Sequence, residues 1–222
     1  MRGAPHTVGD VMTRSVASVA GEAAFKEIVR LMRDRRVSGL PVLEDGDRVV
    51  GVVSEADLLL KEEFRDSDPD RRTQLRRLPD LWKAGALTAR ELMTSPAVTV
   101  RAGTTLADAA GLMARHRVKR LPVVDEQGSL EGVVSRADLL RVFLRDDEEL
   151  AEQVRREVVA HLFPGPRSAV WVEVRDGVVR LVGRVRDTSL VPAAARLIRA
   201  VEGVVDVEFA PTKEASSAPV PP

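Results

Sequence analysis

Two short stretches of the chain place an aspartate three residues after a serine: Ser54 with Asp57, and Ser135 with Asp138. Each serine ends an apolar run that predicts a strand, and apolar residues at helical spacing follow it. The free backbone N–H groups at such a helix start favour an anion, and a carboxylate can accept hydrogen bonds from both vicinal hydroxyls of a ribose. The same spacing is that of a capping box, in which the two side chains bond the first backbone N–H groups. Both interpretations stay open because the two roles are compatible.

The two stretches belong to a long internal repeat, since residues 8–60 align without a gap on residues 89–141. Hydrophobic periodicity predicts the same βαββα order in each copy. One copy alone is near the size at which a single core is marginal, so the two are expected to pack together. In the first copy the elements are expected at Val16–Val19, Ala23–Asp34, Leu40–Leu43 and Val49–Val53, and from Ser54 onward.

The copies differ in charge just before the central strand. The second copy has Lys119 and Arg120 there, whereas the first has Ser38 and Gly39. Cations at this place can pair with a phosphate, and an arginine can do so bidentately. The alternative is a solvated helix end whose basic residues complement the helix dipole. If the first interpretation holds, the second copy prefers a phosphorylated ligand.

The tandem of Met-Thr, Leu-Pro-Val and Gly-Val-Val-Ser-x-Ala-Asp-Leu-Leu over residues 7–144 closely resembles a pair of cystathionine-β-synthase (CBS) domains, also called a Bateman module. The resemblance implies a regulatory adenosyl nucleotide, with the aspartates on its ribose, the serines beside them, and Thr13 and Thr94 approaching the nucleoside. It also implies a homodimer. We expect AMP, ADP or ATP in the second copy; the first is expected to be empty or to hold an uncharged adenosyl group such as that of S-adenosylmethionine.

The predicted ligand-binding residues come from both copies. Apolar strands at Val16–Val19 and Val98–Val100 could also wall an adenine, although core packing is the favoured explanation for them. The predicted residues are Asp138, Ser135, Lys119, Arg120, Thr94 and Pro122 in the second copy, and Asp57, Ser54, Thr13 and Gly39 in the first.

The pattern changes after about Asp146. A helical stripe, an Asp176-Gly177 hairpin turn between alternating strands, an Ala-rich helix closed by Gly203 and a last strand give the order αββαβ. This order, with its glycines, resembles the BON domain. That resemblance implies a phospholipid surface or a protein as partner.

A charged stretch separates the two copies of the repeat. Within it Leu75, Leu78, Leu81 and Trp82 recur at helical spacing, which predicts a loop followed by a short amphipathic segment. We therefore expect a mixed α/β (α+β) chain in which two βαββα CBS repeats form a pseudo-symmetric pair followed by a small αββαβ BON domain. The expected bounds are residues 7–62 for CBS domain 1, 63–88 for the insertion, 89–145 for CBS domain 2, 147–211 for the BON domain and 212–222 for a disordered tail.

Composition limits the chemistry. Lys plus Arg equals Asp plus Glu at 34 each, which gives no general case for nucleic-acid binding, although local charge could still matter. The chain has no cysteine and only three scattered histidines, so thiolate zinc sites and cysteine nucleophiles are excluded and no metal or other cofactor is expected. The N-terminus lacks a signal-peptide pattern, from which we expect a cytoplasmic protein.

These observations favour a regulatory binding protein over an enzyme. In this hypothesis the CBS pair senses an adenosyl nucleotide and the BON domain relays the change to a protein or lipid partner. A ligand-free scaffold, in which the Ser-x-x-Asp stretches are only helix caps, is the alternative. A nucleic-acid-associated regulator that uses the arginines of the insertion is a further one.

Overall fold

The computed structural model describes residues 6–64, 77–164, 170–183 and 187–211. The chain divides into two compact units, Thr7–Leu139 and a C-terminal unit of Leu140–Pro222 with Met1–His6. The first unit contains both copies of the repeat.

The first copy is a three-stranded sheet with helices beside it. Its central strand is parallel to the short first strand and antiparallel to the third. The predicted strand at Val16–Val19 is wrong over its first three residues, because only Val19 reaches the sheet, where it pairs with Val42. In chain order the elements are α1 (Val8–Val11), β1 (Val19–Ala20), α2 (Phe25–Arg35), β2 (Gly39–Glu44), β3 (Arg48–Ser54) and α3 (Glu55–Glu63).

The second copy repeats this order. Val100 makes a parallel bridge to Val123, as Val19 does to Val42 in the first copy. The two antiparallel strands carry a bulge after Val123, matching the bulge after Val42. After α4 (Leu78–Gly85) of the insertion, the elements are α5 (Ala89–Leu92), α6 (Leu106–His116), β4 (Arg120–Val124), β5 (Leu130–Ser135) and α7 (Arg136–Leu140).

The start of each copy is built into the sheet of the other copy. Thr13 and Val133 exchange two backbone hydrogen bonds of 3.0 and 2.9 Å, and Thr94 and Val52 exchange two of 2.9 and 3.2 Å. Residues 86–92, which lie just before and at the start of the second copy, supply three members of the buried cluster of the first copy. Each Met-Thr segment therefore lies beside the helix that opens after the last strand of the other copy.

The insertion contributes α4, whose first turn holds Pro79, where the missing N–H is not needed. This helix packs against α3. Lys61 Nζ donates to the carbonyl oxygen of Ala84 at 2.9 Å and so binds the end of α4 to α3. Leu78 and Leu81 of the predicted amphipathic segment lie in this helix, and Leu75 lies outside the described residues.

The C-terminal unit has the predicted αββαβ order. Strands β6 (Val170–Arg175) and β7 (Val178–Gly183) are antiparallel, and β8 (Asp206–Pro211) pairs parallel to β7. Helix α8 (Asp147–Val154) runs on through a π-helical turn, Arg155–Val159, into Ala160–Leu162, and α9 (Val191–Arg199) precedes β8. These elements enclose a second buried core that includes Leu150, Val179 and Ile198.

Two glycine predictions in this unit have different outcomes. Asp176 and Gly177 have φ values of 51° and 72°, as a type I′ hairpin turn requires. Gly203 does not close α9, which ends at Arg199 with Ala200 as its C-cap. Its φ is 96°, and a Cβ there would lie 2.9 Å from the carbonyl oxygen of Val142. Glycine is required there by close backbone approach in the turn after the helix.

Across the described parts of the chain, the helices are too short or too polar for any of them to cross a membrane.

Candidate functional site

Both Ser-x-x-Asp stretches form capping boxes. Ser54 N and Oγ donate to Asp57 Oδ2 at 2.9 and 2.6 Å. Ser135 N and Oγ donate to Asp138 Oδ2 at 2.8 and 2.6 Å, and Asp138 N donates to Ser135 Oγ at 3.3 Å. The capping interpretation is thus confirmed in both copies. Because each cap uses only Oδ2, the Oδ1 atom of each aspartate remains for another partner.

The remaining oxygen distinguishes the two aspartates. Asp57 Oδ1 accepts a hydrogen bond from Lys83 Nζ, which also donates to Thr94 Oγ1 at 3.1 Å. Asp57 is buried, whereas Asp138 is partly exposed. In the portions of the chain that the structure describes, Asp138 Oδ1 has no hydrogen-bond or ion-pair partner. One aspartate is therefore satisfied within the chain, and the other keeps a free acceptor.

A cavity of about 810 Å³ lies beside Asp138. This volume falls within the usual range for small-molecule sites. The lining combines apolar side chains with charged and hydroxyl groups, and it comes from both copies of the repeat. The second copy contributes Arg120, Val133, Ser135 and Asp138, and the first copy contributes, among others, Thr13, Val16, Ala17, Ser38, Gly39 and Glu55.

Arg120 is the cation that crosses from the second copy to the first. Its Nη1 donates to the carbonyl oxygen of Gly39 at 3.0 Å, and its Nη2 donates to Ser38 Oγ. Burial lowers the pKa of the Arg120 guanidinium, and the nearby charge of Glu55 opposes this change. An arginine nevertheless stays protonated in proteins and has five N–H donors. The guanidinium therefore keeps both its charge and donors for a ligand in the cavity.

The structure groups the predicted residues across the copies. Asp138 and Ser135 share the cavity with Thr13 and Gly39 of the first copy. This grouping arises because the Met-Thr segment of each copy pairs with the last strand of the other. For the same reason Thr94 of the second copy lies with Asp57 and Ser54 of the first, where Lys83 connects Thr94 and Asp57.

Besides Thr94, two further predicted residues of the second copy do not line the cavity. Lys119 is exposed, and its backbone carbonyl accepts a hydrogen bond from Arg136 N at 3.1 Å. Pro122 is buried in β4 opposite Val133. Of the two cations predicted to meet a phosphate, only Arg120 reaches the cavity.

Sequence reasoning assigned no role to Arg33 and Arg36, which also line the cavity. Both lie at the end of α2, where Arg36 adopts a left-handed backbone conformation with φ of 53°. The repeat contained a signal, because Arg36 aligns with Arg117, which has the same conformation at the end of α6. That signal is weak, since a basic residue at a helix C-terminus also complements the helix dipole.

Comparison with known proteins agrees with this architecture. Residues 8–62 and 89–145, together just over half of the chain, match the family described as CBS domain, and residues 146–209 match the BON domain. An uncharacterised protein of Methanocaldococcus jannaschii is 30% identical over 153 residues, which are 62% of this chain and 90% of that protein. The enzyme inosine-5′-monophosphate dehydrogenase of Korarchaeum cryptofilum is 30% identical over 190 residues, which are 83% of this chain but only 35% of the enzyme.

A plant relative has a solved structure. The chloroplastic CBS domain-containing protein CBSX2 of Arabidopsis thaliana is 33% identical over 159 residues, which are 65% of this chain and 66% of that protein. The crystal structure of CBSX2 in complex with AMP superposes on this chain with a TM-score of 0.56, covering 63% of this chain and 97% of that one.

Two βαββα copies that exchange their Met-Thr segments, with capped aspartates after the last strand of each, define a paired-repeat module followed by a separate small α+β domain. The chain belongs to the CBS-domain family, with a tandem CBS pair followed by a BON domain.

Proposed function

We propose that the CBS pair binds AMP or a related adenosyl nucleotide in the cavity beside Asp138 and that the protein acts as a regulatory sensor. The observation that carries this proposal is a carboxylate with a free Oδ1 and a half-buried guanidinium on the same cavity. The similarity to CBSX2, which was crystallised with AMP, supports the choice of ligand.

Each group at the cavity has a role that follows from its chemistry. Asp138 Oδ1 accepts hydrogen bonds from the ribose hydroxyls, since an ionised carboxylate only accepts. Arg120 meets the phosphate, because charge-assisted hydrogen bonds from a guanidinium are among the strong ones. The apolar side chains of Val16, Ala17 and Val133 offer a surface for the adenine.

Isothermal titration calorimetry with AMP tests this proposal. We expect Asp138→Asn, which can still cap its helix, to weaken AMP binding by about tenfold to a hundredfold, since one charged hydrogen-bonding partner contributes about 1.5–3 kcal/mol. Asp108→Asn is the matched control. Asp108 accepts a hydrogen bond from Thr105 Oγ1 at 2.8 Å in a similar cap on α6, but it does not line the cavity. Absence of AMP binding to the wild-type protein would favour the ligand-free scaffold.

We further propose that the module is not catalytic. The match to inosine-5′-monophosphate dehydrogenase covers 35% of that enzyme, so its name carries no activity to this chain. The cavity offers a carboxylate, hydroxyls and guanidinium groups that can hold a nucleotide. AMP incubated with the protein should be recovered unchanged by chromatography, and its conversion would contradict this part of the proposal.

The relay through the BON domain is a proposal of its own. Its support is the match of residues 146–209 to that family, whose resemblance implies a protein or phospholipid-surface partner. Hydrogen exchange with and without saturating AMP tests it. We expect altered protection in residues 146–209 in addition to the CBS pair, and unchanged exchange throughout the BON domain would contradict a relay.

We also propose that the chain forms a homodimer through the insertion. Large apolar side chains are exposed on and beside α4: Trp82 is 81% exposed, Leu59 on α3 is 65% exposed and Leu78 is 47% exposed. Sedimentation velocity should give a dimer that Trp82→Ser weakens. Trp171→Ser is the control, because Trp171 is 60% exposed on β6 of the C-terminal unit. A Trp82→Ser protein that dimerises as the wild type does would argue against this contact.

A further inference from the structure

The two capped aspartates are equivalent in the repeat but not in their surroundings. Asp138 lines the cavity, whereas Asp57 forms an ion pair with Lys83. The side chains of this pair are 20% exposed for Lys83 and 12% exposed for Asp57. The insertion therefore provides the Asp57 carboxylate with a charged partner.

Lys83 also contacts Thr94 of the second copy. Its Nζ donates to Thr94 Oγ1 at 3.1 Å. Thr94 aligns with Thr13 in the repeat, and Thr13 lines the cavity together with Asp138. The Lys83 ammonium group thus contacts both Thr94 and Asp57. These two residues correspond in the repeat to Thr13 and Asp138, which line the cavity.

Contacts at both ends of α4 hold Lys83 in this position. At the C-terminal end, Lys61 Nζ donates to the carbonyl oxygen of Ala84 at 2.9 Å. At the N-terminal end, Arg77 pairs with Glu63 of α3 at 2.5 Å, and its guanidinium lies 4.7 Å from the centre of the Phe64 ring. Helix α4, which packs on α3, therefore holds the Lys83 ammonium group beside Asp57.

We propose that the Lys83 side chain occupies the position at Asp57 that corresponds in the repeat to the nucleotide site at Asp138. It blocks nucleotide binding there, so that each chain binds one nucleotide instead of two. This inference rests on the proposed function of the Asp138 cavity. A tethered group competes well with a free ligand, because it loses little translational freedom on binding. A nucleotide that displaced Lys83 would also break its ion pair with Asp57 and would have to provide a new partner for this largely buried carboxylate.

Stoichiometry measured by calorimetry with AMP tests the inference. We expect one AMP per wild-type chain and two per Lys83→Met chain, since methionine keeps the apolar stem and removes the charge. The affinity of the second AMP site in Lys83→Met should be at least about tenfold higher than that of any second AMP site in the wild type. Adding Asp57→Asn to Lys83→Met should return the stoichiometry to one. A Lys83→Met protein that binds one AMP with unchanged affinity would overturn the inference, and so would a wild-type chain that already binds two.

A further variant covers the case in which Lys83→Met fails to fold because it leaves Asp57 unpaired. Lys61→Met retains the Asp57–Lys83 pair and removes the anchor at Ala84, together with the contact of the Lys61 ammonium with the Phe25 ring. We expect a weak second AMP site in this variant, and a single site identical to that of the wild type would overturn the inference. Failure of the proposed function is distinguishable, because a wild-type chain that takes up no AMP would overturn both, whereas one site in every variant overturns only the role of Lys83.

Discussion

Arg120 of the second CBS copy donates a hydrogen bond from Nη1 to the backbone carbonyl of Gly39 in the first copy, at 3.0 Å. These two residues occupy equivalent positions of the repeat, because Gly39 aligns with Arg120 itself. A Cβ at residue 39 would be in ordinary van der Waals contact with Arg120, 3.5 Å from its Nε, and would lie closer to the carbonyl oxygen of Val53, at 3.2 Å. The first copy has a glycine where the second copy has an arginine, so this position of the repeat supplies the shared cavity with one guanidinium, that of Arg120.

Arg120→Ala should weaken binding of AMP and leave binding of adenosine nearly unchanged. The loss expected for AMP is about tenfold to a hundredfold, because a hydrogen bond to a charged group contributes about 1.5–3 kcal/mol. Adenosine lacks the phosphate that Arg120 is proposed to meet. Calorimetric titration of both ligands measures the difference.

Lys119→Ala provides the control for this prediction. Lys119 is the neighbouring cation, but it is exposed and does not line the cavity. We expect wild-type affinity for AMP. Equal losses for Lys119→Ala and Arg120→Ala would indicate a general effect of charge and would contradict a specific phosphate contact.

The repeat predicts much of the fold because the gapless alignment places the same element order and the same Ser-x-x-Asp cap in both copies. It does not say which threonine meets which aspartate, since pairing Thr13 with its own copy or with the other satisfies the same local pattern. The contact of Lys83 with Asp57 was also beyond sequence reasoning, because the insertion has no counterpart in the repeat and its helix reaches α3 only through tertiary packing.

Gly132→Ala should destabilise the CBS pair. A Cβ at this position would lie 2.8 Å from Met12 Sδ and 3.0 Å from the carbonyl oxygen of Thr13, at the place where the first copy joins β5. Overpacking of this kind typically lowers the free energy of unfolding by about 1–3 kcal/mol. Urea denaturation followed by circular dichroism measures the change.

Gly103→Ala is the matched substitution, because a Cβ there has no atom within 4 Å and the backbone is not in the left-handed region. We expect its free energy of unfolding to stay within about 1 kcal/mol of wild type. Equal stability of the Gly132→Ala and Gly103→Ala proteins would contradict the proposed tight contact between the copies.

Asp147→Ala should loosen the hairpin of the BON domain. The Asp147 carboxylate accepts hydrogen bonds from Asp176 N at 2.8 Å and Gly177 N at 2.9 Å, and so fixes the β6–β7 turn to the start of α8. Removing it leaves two backbone donors without this partner, which destabilises by about 1–3 kcal/mol. Hydrogen exchange should accelerate at these two amides. Glu149→Ala, an exposed acidic residue of the same helix, should leave their exchange unchanged; acceleration in both variants would point to a loss of helix charge instead.

Glu91→Gln should make the free energy of unfolding less dependent on pH in the acidic range. The backbone N–H groups of Leu87 and Thr88 donate to Glu91 Oε2 at 2.7 and 3.1 Å and lower the pKa of this carboxyl. A pKa lower in the folded than in the unfolded state means that the charged form stabilises the fold. This contribution is complete above the unfolded-state pKa and is lost as the pH falls through the folded-state value.

The wild-type protein should therefore exceed Glu91→Gln in free energy of unfolding at neutral pH, and the difference should shrink as the pH is lowered from about 6 to about 3. Denaturant titrations at a series of pH values measure it. Glu27→Gln is the control, because Glu27 is an exposed first-turn residue of α2 with no partner for its side chain among the described residues. A constant difference across this pH range would mean that the Glu91 carboxylate does not stabilise the start of the second copy through its charge.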